Sequence, residues 1–211
     1  MQYLAWKCEM SMYSLLLCDP PWKYNDKAQA GNRGAEFKYP CMTTHELYKM
    51  HDYINEISNN DSVLYMWTTG PMLPDALGTM KFWGFKFKNI AFTWIKTNKK
   101  PLNWVTPSAN LIMGIDDDDK EFTTGDFMGM GNHTRSNAEF VLLGVRGKGI
   151  KRVSASVRST VISPVREHSR KPDEVRRRIE DLYGDVPRIE LFARERFEGW
   201  DFHGNEVIFN V

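Results

Sequence analysis

The sequence predicts an α/β protein built on one mainly parallel sheet with helices on both faces. Short apolar runs of strand length alternate along the chain with segments of helical period. The runs Tyr13–Cys18 and Ser62–Trp67 are almost continuously apolar, as in strands buried on both faces. Polar residues, prolines and glycines gather just after these runs, where ligands bind in open α/β sheets. With 211 residues the chain suits one sizeable core, read as a single domain over 1–211 with no room for a separate recognition domain.

The first strand, Tyr13–Cys18, is stopped by Asp19-Pro20-Pro21-Trp22, since each proline fixes φ and lacks an N–H. Lys23 to Cys41 is polar, holds Gly31 and Gly34, and reads as a loop beside the site. A helix starts near Thr43, where Thr43 and Glu46 have capping-box spacing, and Leu47, Met50, Ile54 and Ile57 form its buried stripe. The second strand, Ser62–Trp67, ends in Thr68-Thr69-Gly70. A helix over Pro71–Phe82 follows, with Pro74 near its start, and then a strand over Asn89–Ile95 leading into Lys96. Pro101–Ser136 has no periodicity and contains the acidic run Asp116–Asp119; a connection of this length is usually functional. A fourth strand covers Glu139–Val145, and a short one is expected at Val157–Ile162. The helix Pro172–Tyr183 takes proline at its first position, Asp173 and Glu174 in its first turn, and a stripe of Val175, Ile179 and Leu182. Arg188–Ala193 is the last core strand.

Hydrophobic residues at 42% and charged residues at 26% place the chain among ordinary globular proteins. A net charge of +1 gives no global pull on polyanions, so nucleic-acid affinity must come from local clustering. Cys8, Cys18 and Cys41 neither pair evenly nor show metal spacing, as expected for reduced thiols in the cytoplasm. No leader and no bilayer-spanning apolar stretch is apparent, so membrane association is not expected.

The tetrad carries the sharpest chemistry. Enzymes that methylate the exocyclic amine of a base use Asp/Asn-Pro-Pro-aromatic at a strand end. That amine's lone pair is delocalised into the ring, so it becomes a nucleophile only when acceptors hold its hydrogens. Asp19 and the Pro20 carbonyl can be those acceptors, with Pro21 fixing the turn and Trp22 offering a face to a flipped base. Between Arg146 and Lys171 lie Lys148, Lys151, Arg152, Arg158, Arg166 and Arg170 with Glu167 as the only acid, a tract suited to phosphates or to plain solvation. No Gly-x-Gly-x-x-Gly occurs; the strand ending at Arg194, with Gly204-Asn205-Glu206 beyond, is the alternative place for a ribose diol. His133 near Asn137 and Glu139 lacks the further ligands that a metal-dependent His/Asn nuclease needs, and no metal site is expected.

Asp19-Pro20-Pro21-Trp22, Tyr39-Pro40, Val63–Trp67 with Gly70, Trp94–Asn98, Asn137-Ala138-Glu139 with Gly144–Gly147, His168–Glu174 and Ile189–Arg194 to Gly204-Asn205 succeed one another in a fixed order. Together they resemble the catalytic-subunit family of mRNA adenine methyltransferases and its bacterial and phage DNA-methylating relatives. The resemblance implies a permuted Rossmann-like fold, catalytic motif before cofactor strand, and S-adenosylmethionine as cofactor. It implies that Asp19 orients the target amine, that Lys171 meets the cofactor's carboxylate, and that Arg194, Arg196, Asn205 and Glu206 surround its ribose and adenine. Tyr24, Tyr39, Trp67, Lys96, Asn137 and Glu139 would border the substrate, and Lys148 and Arg152 would meet phosphates. Arg196 and Phe197 stand where the family often has His or Asn. The expected activity is methylation of adenine N(6) by a monomer or homodimer. DNA ranks ahead of RNA because no zinc or RNA-binding module is appended. A catalytically dead nucleic-acid-binding partner subunit is the rival of another class; such members usually lose the tetrad, which is intact here with Lys171.

Overall fold

A computed structural model describes residues 12–24, 40–98, 127–129, 133–166 and 170–204. The strands are β1 (Tyr13–Cys18), β2 (Ser58–Thr68), β3 (Lys86–Thr97), β4 (Ala138–Arg146), β5 (Thr160–Pro164), β6 (Arg188–Leu191) and β7 (Asp201–His203). They form a seven-stranded sheet in the order β5-β3-β4-β2-β1-β6-β7. β1 runs parallel to β2 and to β6, β6 parallel to β7, and β3 parallel to β5. The helices are α1 (Thr44–Tyr48), α2 (His51–Ile57), α3 (Leu73–Phe82) and α4 (Glu174–Tyr183). This is the expected α/β, Rossmann-like plan, and the first strand lies beside the late strand β6, as a permuted chain requires. The chain packs as two compact units, 1–89 with 142–151 and 185–211, and 90–141 with 152–184.

In the first unit Leu15, Leu16, Leu17 and Cys18 of β1 are each at most 1% exposed, between the equally buried Leu64 and Met66 of β2 and Leu191 of β6. Burial on both faces explains the unbroken apolar run. Each such leucine contributes about 1.5–3 kcal/mol of transfer free energy. The expected single helix after Thr43 is two. Its capping box is present, Glu46 Oε2 accepting from the Thr43 N–H at 2.7 Å and Glu46 N–H donating to Thr43 Oγ1 at 3.3 Å. The break at Lys49–Met50 has an identifiable cause: the Leu47 carbonyl accepts from Met50 N–H and from the Trp83 indole, which diverts it from the α-helical ladder. Leu47, Ile54 and Ile57 remain buried while Met50 is half-buried. The helix expected from Pro71 begins as a 3-10 turn over Gly70–Met72, with Pro74 tolerated in the first turn of α3. A Cβ on Gly78 of α3 would stand 2.4 Å from the Tyr48 hydroxyl, so any larger residue there would have to push that side chain aside.

In the second unit β5 begins three residues later than the sequence suggests. Its buried residues Val161 and Ser163 alternate inward, and Pro164 ends a strand at the sheet edge, where no ladder donor is missed. Pro172 lies outside α4, whose N-cap is Asp173; that side chain binds arginines instead of capping. The buried stripe of α4 is Val175, Ile179 and Tyr183, with Leu182 half-buried beside it. Strand β7, three residues long, gives no signal in the sequence.

Candidate functional site

Strands β1, β6 and β7 finish level with one another, and β2 runs two residues further. Cys18 stands opposite Met66 and Leu191, and Leu191 opposite His203. Asp19, Thr69, Phe192 and Gly204 therefore all leave the sheet at its carboxyl edge.

The tetrad is held there by its backbone. Trp22 N–H donates to the Pro20 carbonyl at 2.8 Å, closing a three-residue turn about Pro21. Met42 N–H donates to the Pro21 carbonyl at 2.8 Å and Lys23 N–H to the Met42 carbonyl at 3.1 Å, which ties the turn to the residues before α1. The Trp22 indole donates to the Trp67 carbonyl at 3.1 Å. Three independent ties plus two fixed φ angles leave the turn little freedom. Asp19, half-buried, is thus presented by a stiff mount. One expectation changes here: Trp22 is only 5% exposed, so its indole anchors the turn to β2 and offers no open stacking face. Trp67 is likewise a core residue, 3% exposed. The Pro20 carbonyl uses one lone pair on Trp22 N–H and keeps the second for another donor. Tyr24 continues the mount, its hydroxyl 2.9 Å from Thr69 Oγ1 at the end of β2.

Two features of this edge escape sequence reasoning. Thr69 reads only as part of a loop, with nothing to pair it with Tyr24. Glu190 is a buried acid on β6, and burial, then Asp19, then Glu190 push the Cys18 thiol well above its usual range. A signal for Glu190 is present: it is the one acid in its strand, set between the apolar Ile189 and Leu191.

Beyond β6, Phe192 adopts φ 61°, a left-handed conformation costing a non-glycine residue on the order of 1 kcal/mol. It turns the chain sharply off the sheet. Ala193 N–H then donates to the His203 carbonyl at 3.1 Å, and a Cβ on Gly204 would lie 2.0 Å from the Ala193 oxygen. Gly204 is therefore obligatory at this close approach. Arg194 is half-buried; Arg196 is exposed, its guanidinium 5.0 Å above the Phe202 ring.

The second unit holds a cluster of three charges. Glu139 Oε1 accepts from Lys96 Nζ at 2.5 Å, and Glu139 Oε2 lies 3.3 Å from Lys171 Nζ. All three side chains are under 20% exposed. Burial alone would raise the Glu139 carboxyl; the ammonium groups of Lys171 and Lys96 and their hydrogen bonds outweigh it and hold the pKa below its usual value. Lys96 also lies 5.1 Å from the Trp94 ring centre and 5.9 Å from that of Phe127, and its N–H donates to the Asn137 carbonyl at 2.8 Å. Two cations face one carboxylate, so these three groups together carry one excess positive charge. That donor set fits a further anion, and the carboxylate of S-adenosylmethionine is one.

Of the sequence-selected residues, the first unit brings together Asp19, Pro20, Pro21, Trp22, Tyr24 and Trp67, with Arg194 and Arg196 beyond β6. The second unit brings together Lys96, Asn137, Glu139 and Lys171. Tyr39, Asn205 and Glu206 lie outside the described residues. The basic tract splits by use. The Arg146 guanidinium lies 4.4 Å over Phe85 and donates to the Trp83 carbonyl, and burial lowers its pKa. Arg166 and Arg170 bind Asp173 at 2.7 and 3.4 Å. Lys148, Lys151, Arg152 and Arg158 are exposed.

A Rossmann-like sheet with an Asp-Pro-Pro-Trp turn on its carboxyl edge defines the class of amino methyltransferases. The MT-A70 family model matches residues 13–206, and the chain belongs to that family. It is 31% identical to the Type II methyltransferase M.MunI of Mycoplasma sp, the match covering 92% of this chain and 78% of that protein. It is 25% identical to the probable N(6)-adenosine-methyltransferase MT-A70-like of Oryza sativa subsp. japonica (94% of this chain, 23% of that protein). It is 24% identical to the N(6)-adenosine-methyltransferase catalytic subunit METTL3 of Homo sapiens (94% of this chain, 29% of that protein). The chain thus spans less than a third of the length of the latter two. S-adenosylmethionine dependence and methylation of adenine N(6) are typical of that family. No helix among the described residues is long and apolar enough to cross a membrane.

Proposed function

We propose that the chain methylates the exocyclic N(6) amine of adenine within a nucleic-acid strand, and that Asp19 is its catalytic residue. The observation that carries this reading is the mount of the tetrad: a half-buried carboxylate at the end of β1, on a turn fixed by Pro20, Pro21, the Trp22–Met42 bridge and the Trp22 indole. Bound S-adenosylmethionine supplies an electrophilic methyl group on a sulfonium. The protein's contribution is then chiefly positioning. Asp19 accepts one amine hydrogen and the second lone pair of the Pro20 carbonyl takes the other. Both bonds strengthen as the amine becomes acidic in the transition state, so Asp19 need not be a strong base. An adenine in a duplex has to be flipped out to reach them, and single-stranded or distorted strands avoid that cost. Lys171 is assigned the cofactor's carboxylate, and Arg194, Arg196, Asn205 and Glu206 its adenosine part.

The polynucleotide is assigned by weighing the relatives. Those named N(6)-adenosine-methyltransferases are spread across plants and animals, which supports RNA ahead of DNA and reverses the ranking drawn from sequence. DNA is kept as the second reading because the Type II methyltransferase has the higher identity and the fuller coverage. Incubating the protein with labelled S-adenosylmethionine and matched RNA and DNA oligomers, then analysing nucleosides by mass, tests both. N(6)-methyladenosine in the RNA arm is the expected product, its deoxy counterpart alone selects the second reading, and no label in either arm refutes the function.

A further inference from the structure

Two buried hydroxyls near the carboxyl ends of strands in the second unit, Ser163 Oγ on β5 and Thr97 Oγ1 on β3, have no hydrogen-bond partner among the described residues. Ser163 is 7% and Thr97 5% exposed. A buried donor left unmade is costly and uncommon, so each calls for an explanation. The two lie on different faces of the sheet. Ser163 stands opposite Lys96 in the parallel register of β3 and β5, and residues paired in this way share a face. Thr97 follows Lys96 directly and falls on the other face.

The face that Ser163 shares with Lys96 is the one that carries the ammonium groups. Strand β3 lies between β4, which bears Glu139, and β5, which bears Ser163. Lys96 and Lys171 both bind Glu139. The Trp94 indole donates to the Ser163 carbonyl at 3.1 Å, and Lys96 Nζ lies 5.1 Å from the centre of the same ring. One tryptophan thus fixes the backbone of Ser163 and stands against the neighbouring cation. We infer that the Ser163 hydroxyl is a further ligand of the S-adenosylmethionine carboxylate, donating to one of its oxygens beside the charge supplied by Lys171. A carboxylate has two oxygens and accepts from several donors. An ammonium acts on it as a point charge, whereas a hydroxyl on a stiff strand adds direction. The inference rests on the proposed assignment of that carboxylate to Lys171. Thr97, an equally unpaired hydroxyl on the opposite face, is the internal control.

The test is calorimetric titration of the whole protein with S-adenosylmethionine and with decarboxylated S-adenosylmethionine, which keeps the sulfonium and the amine and lacks only the carboxylate. Ser163→Ala should raise the Kd for S-adenosylmethionine about tenfold, the loss of one hydrogen bond to a charged group. Ser163→Cys, which keeps a weak donor of similar size, should fall between Ser163→Ala and the parent. Thr97→Val should stay within about twofold of the parent. With the decarboxylated compound Ser163→Ala and the parent should bind alike. Thermal melting without ligand adds a readout that a structural role would move the other way. Neither Ser163→Ala nor Thr97→Val should lower the melting temperature, because each removes an unmade donor and breaks no bond. Equal weakening of both compounds by Ser163→Ala would make the hydroxyl a packing element and overturn the inference. Lys171→Ala separates the two levels. If it weakens S-adenosylmethionine while Ser163→Ala does not, the role of Ser163 falls and the carboxylate assignment stands. If neither variant weakens it, both fall.

Discussion

The tetrad edge and the Lys96–Glu139–Lys171 cluster solve the problem of presenting a charge in opposite ways. At the tetrad the backbone that carries Asp19 is fixed by two prolines and by the hydrogen bonds of Pro20, Pro21 and Trp22. In the cluster the charges hold each other, with Glu139 shared by the two ammonium groups. Function and stability should therefore separate at the first place and stay coupled at the second.

The largest effect expected is that of Asp19→Ala. Removing an acceptor whose bond strengthens in the transition state costs about 10²–10³ in kcat, by analogy with other such groups. Melting temperature and cofactor affinity should change far less than kcat, because Pro20, Pro21 and Trp22 tie the turn through backbone and indole hydrogen bonds. Asp19→Asn keeps one acceptor oxygen and should retain part of the activity. Parental turnover in Asp19→Ala would remove the central assignment.

Glu139→Ala should instead unsettle the fold. It leaves two like-charged ammonium groups under 20% exposed, and breaking a buried pair in this way costs about 3–5 kcal/mol. The sign of the pH dependence follows from the depressed carboxyl. Its stabilising contribution is complete above the unfolded-state value near ~4.3 and is lost as pH falls through the lower folded-state value. The stability gap between the parent and Glu139→Gln should accordingly be constant at neutral pH and close only in acid below the usual carboxylate range. A gap that closes between pH 6 and 8 (the roughly histidine range) would point to another group. Lys171→Ala is milder for the fold, since Lys96 still neutralises Glu139. It should weaken S-adenosylmethionine about ten- to a hundredfold in calorimetry, with a smaller effect on kcat at saturation. Unchanged affinity would move the carboxylate's binding place elsewhere.

The same contrast explains what is legible in the sequence. Tyr13–Cys18 and Asp19–Trp22 are readable because burial on both faces and proline geometry write themselves into consecutive residues. The Thr43 capping box is readable for the same reason. The charge cluster is not, because Lys96, Glu139 and Lys171 lie on three separate segments and only the fold gives them one shared carboxylate. The break between α1 and α2 is hidden too: its cause, the Trp83 indole on the Leu47 carbonyl, lies 36 residues away. The contact of the Tyr53 hydroxyl with His203 Nδ1, at 2.5 Å, joins residues 150 positions apart, which no local pattern can record. Trp22 differs from expectation in role, not in place: the turn needs an anchor, and the indole's single donor meets the Trp67 carbonyl.

The basic tract gives the smallest expected effect and the finest test of this division. Arg146, Arg166 and Arg170 are committed to protein partners, so neutralising them would confound binding with folding. Lys148, Lys151 and Arg152 are exposed, and their charges can be removed with little cost to stability. The triple variant Lys148→Gln, Lys151→Gln, Arg152→Gln should weaken binding to all oligomers alike and leave the choice of adenine unchanged. Each phosphate deprived of its cation should reduce the slope of log affinity against log salt by about one unit on duplex DNA and about 0.7 on single strands. Cofactor affinity should not move, because that carboxylate is assigned to Lys171. If the slope and the affinity both stay at parental values, these three residues are solvated surface. The phosphates would then be sought around Lys96, whose ammonium already shares Glu139 and could reach a strand only by giving up part of that pair. Such a trade would appear as nucleic-acid binding that strengthens in Glu139→Gln.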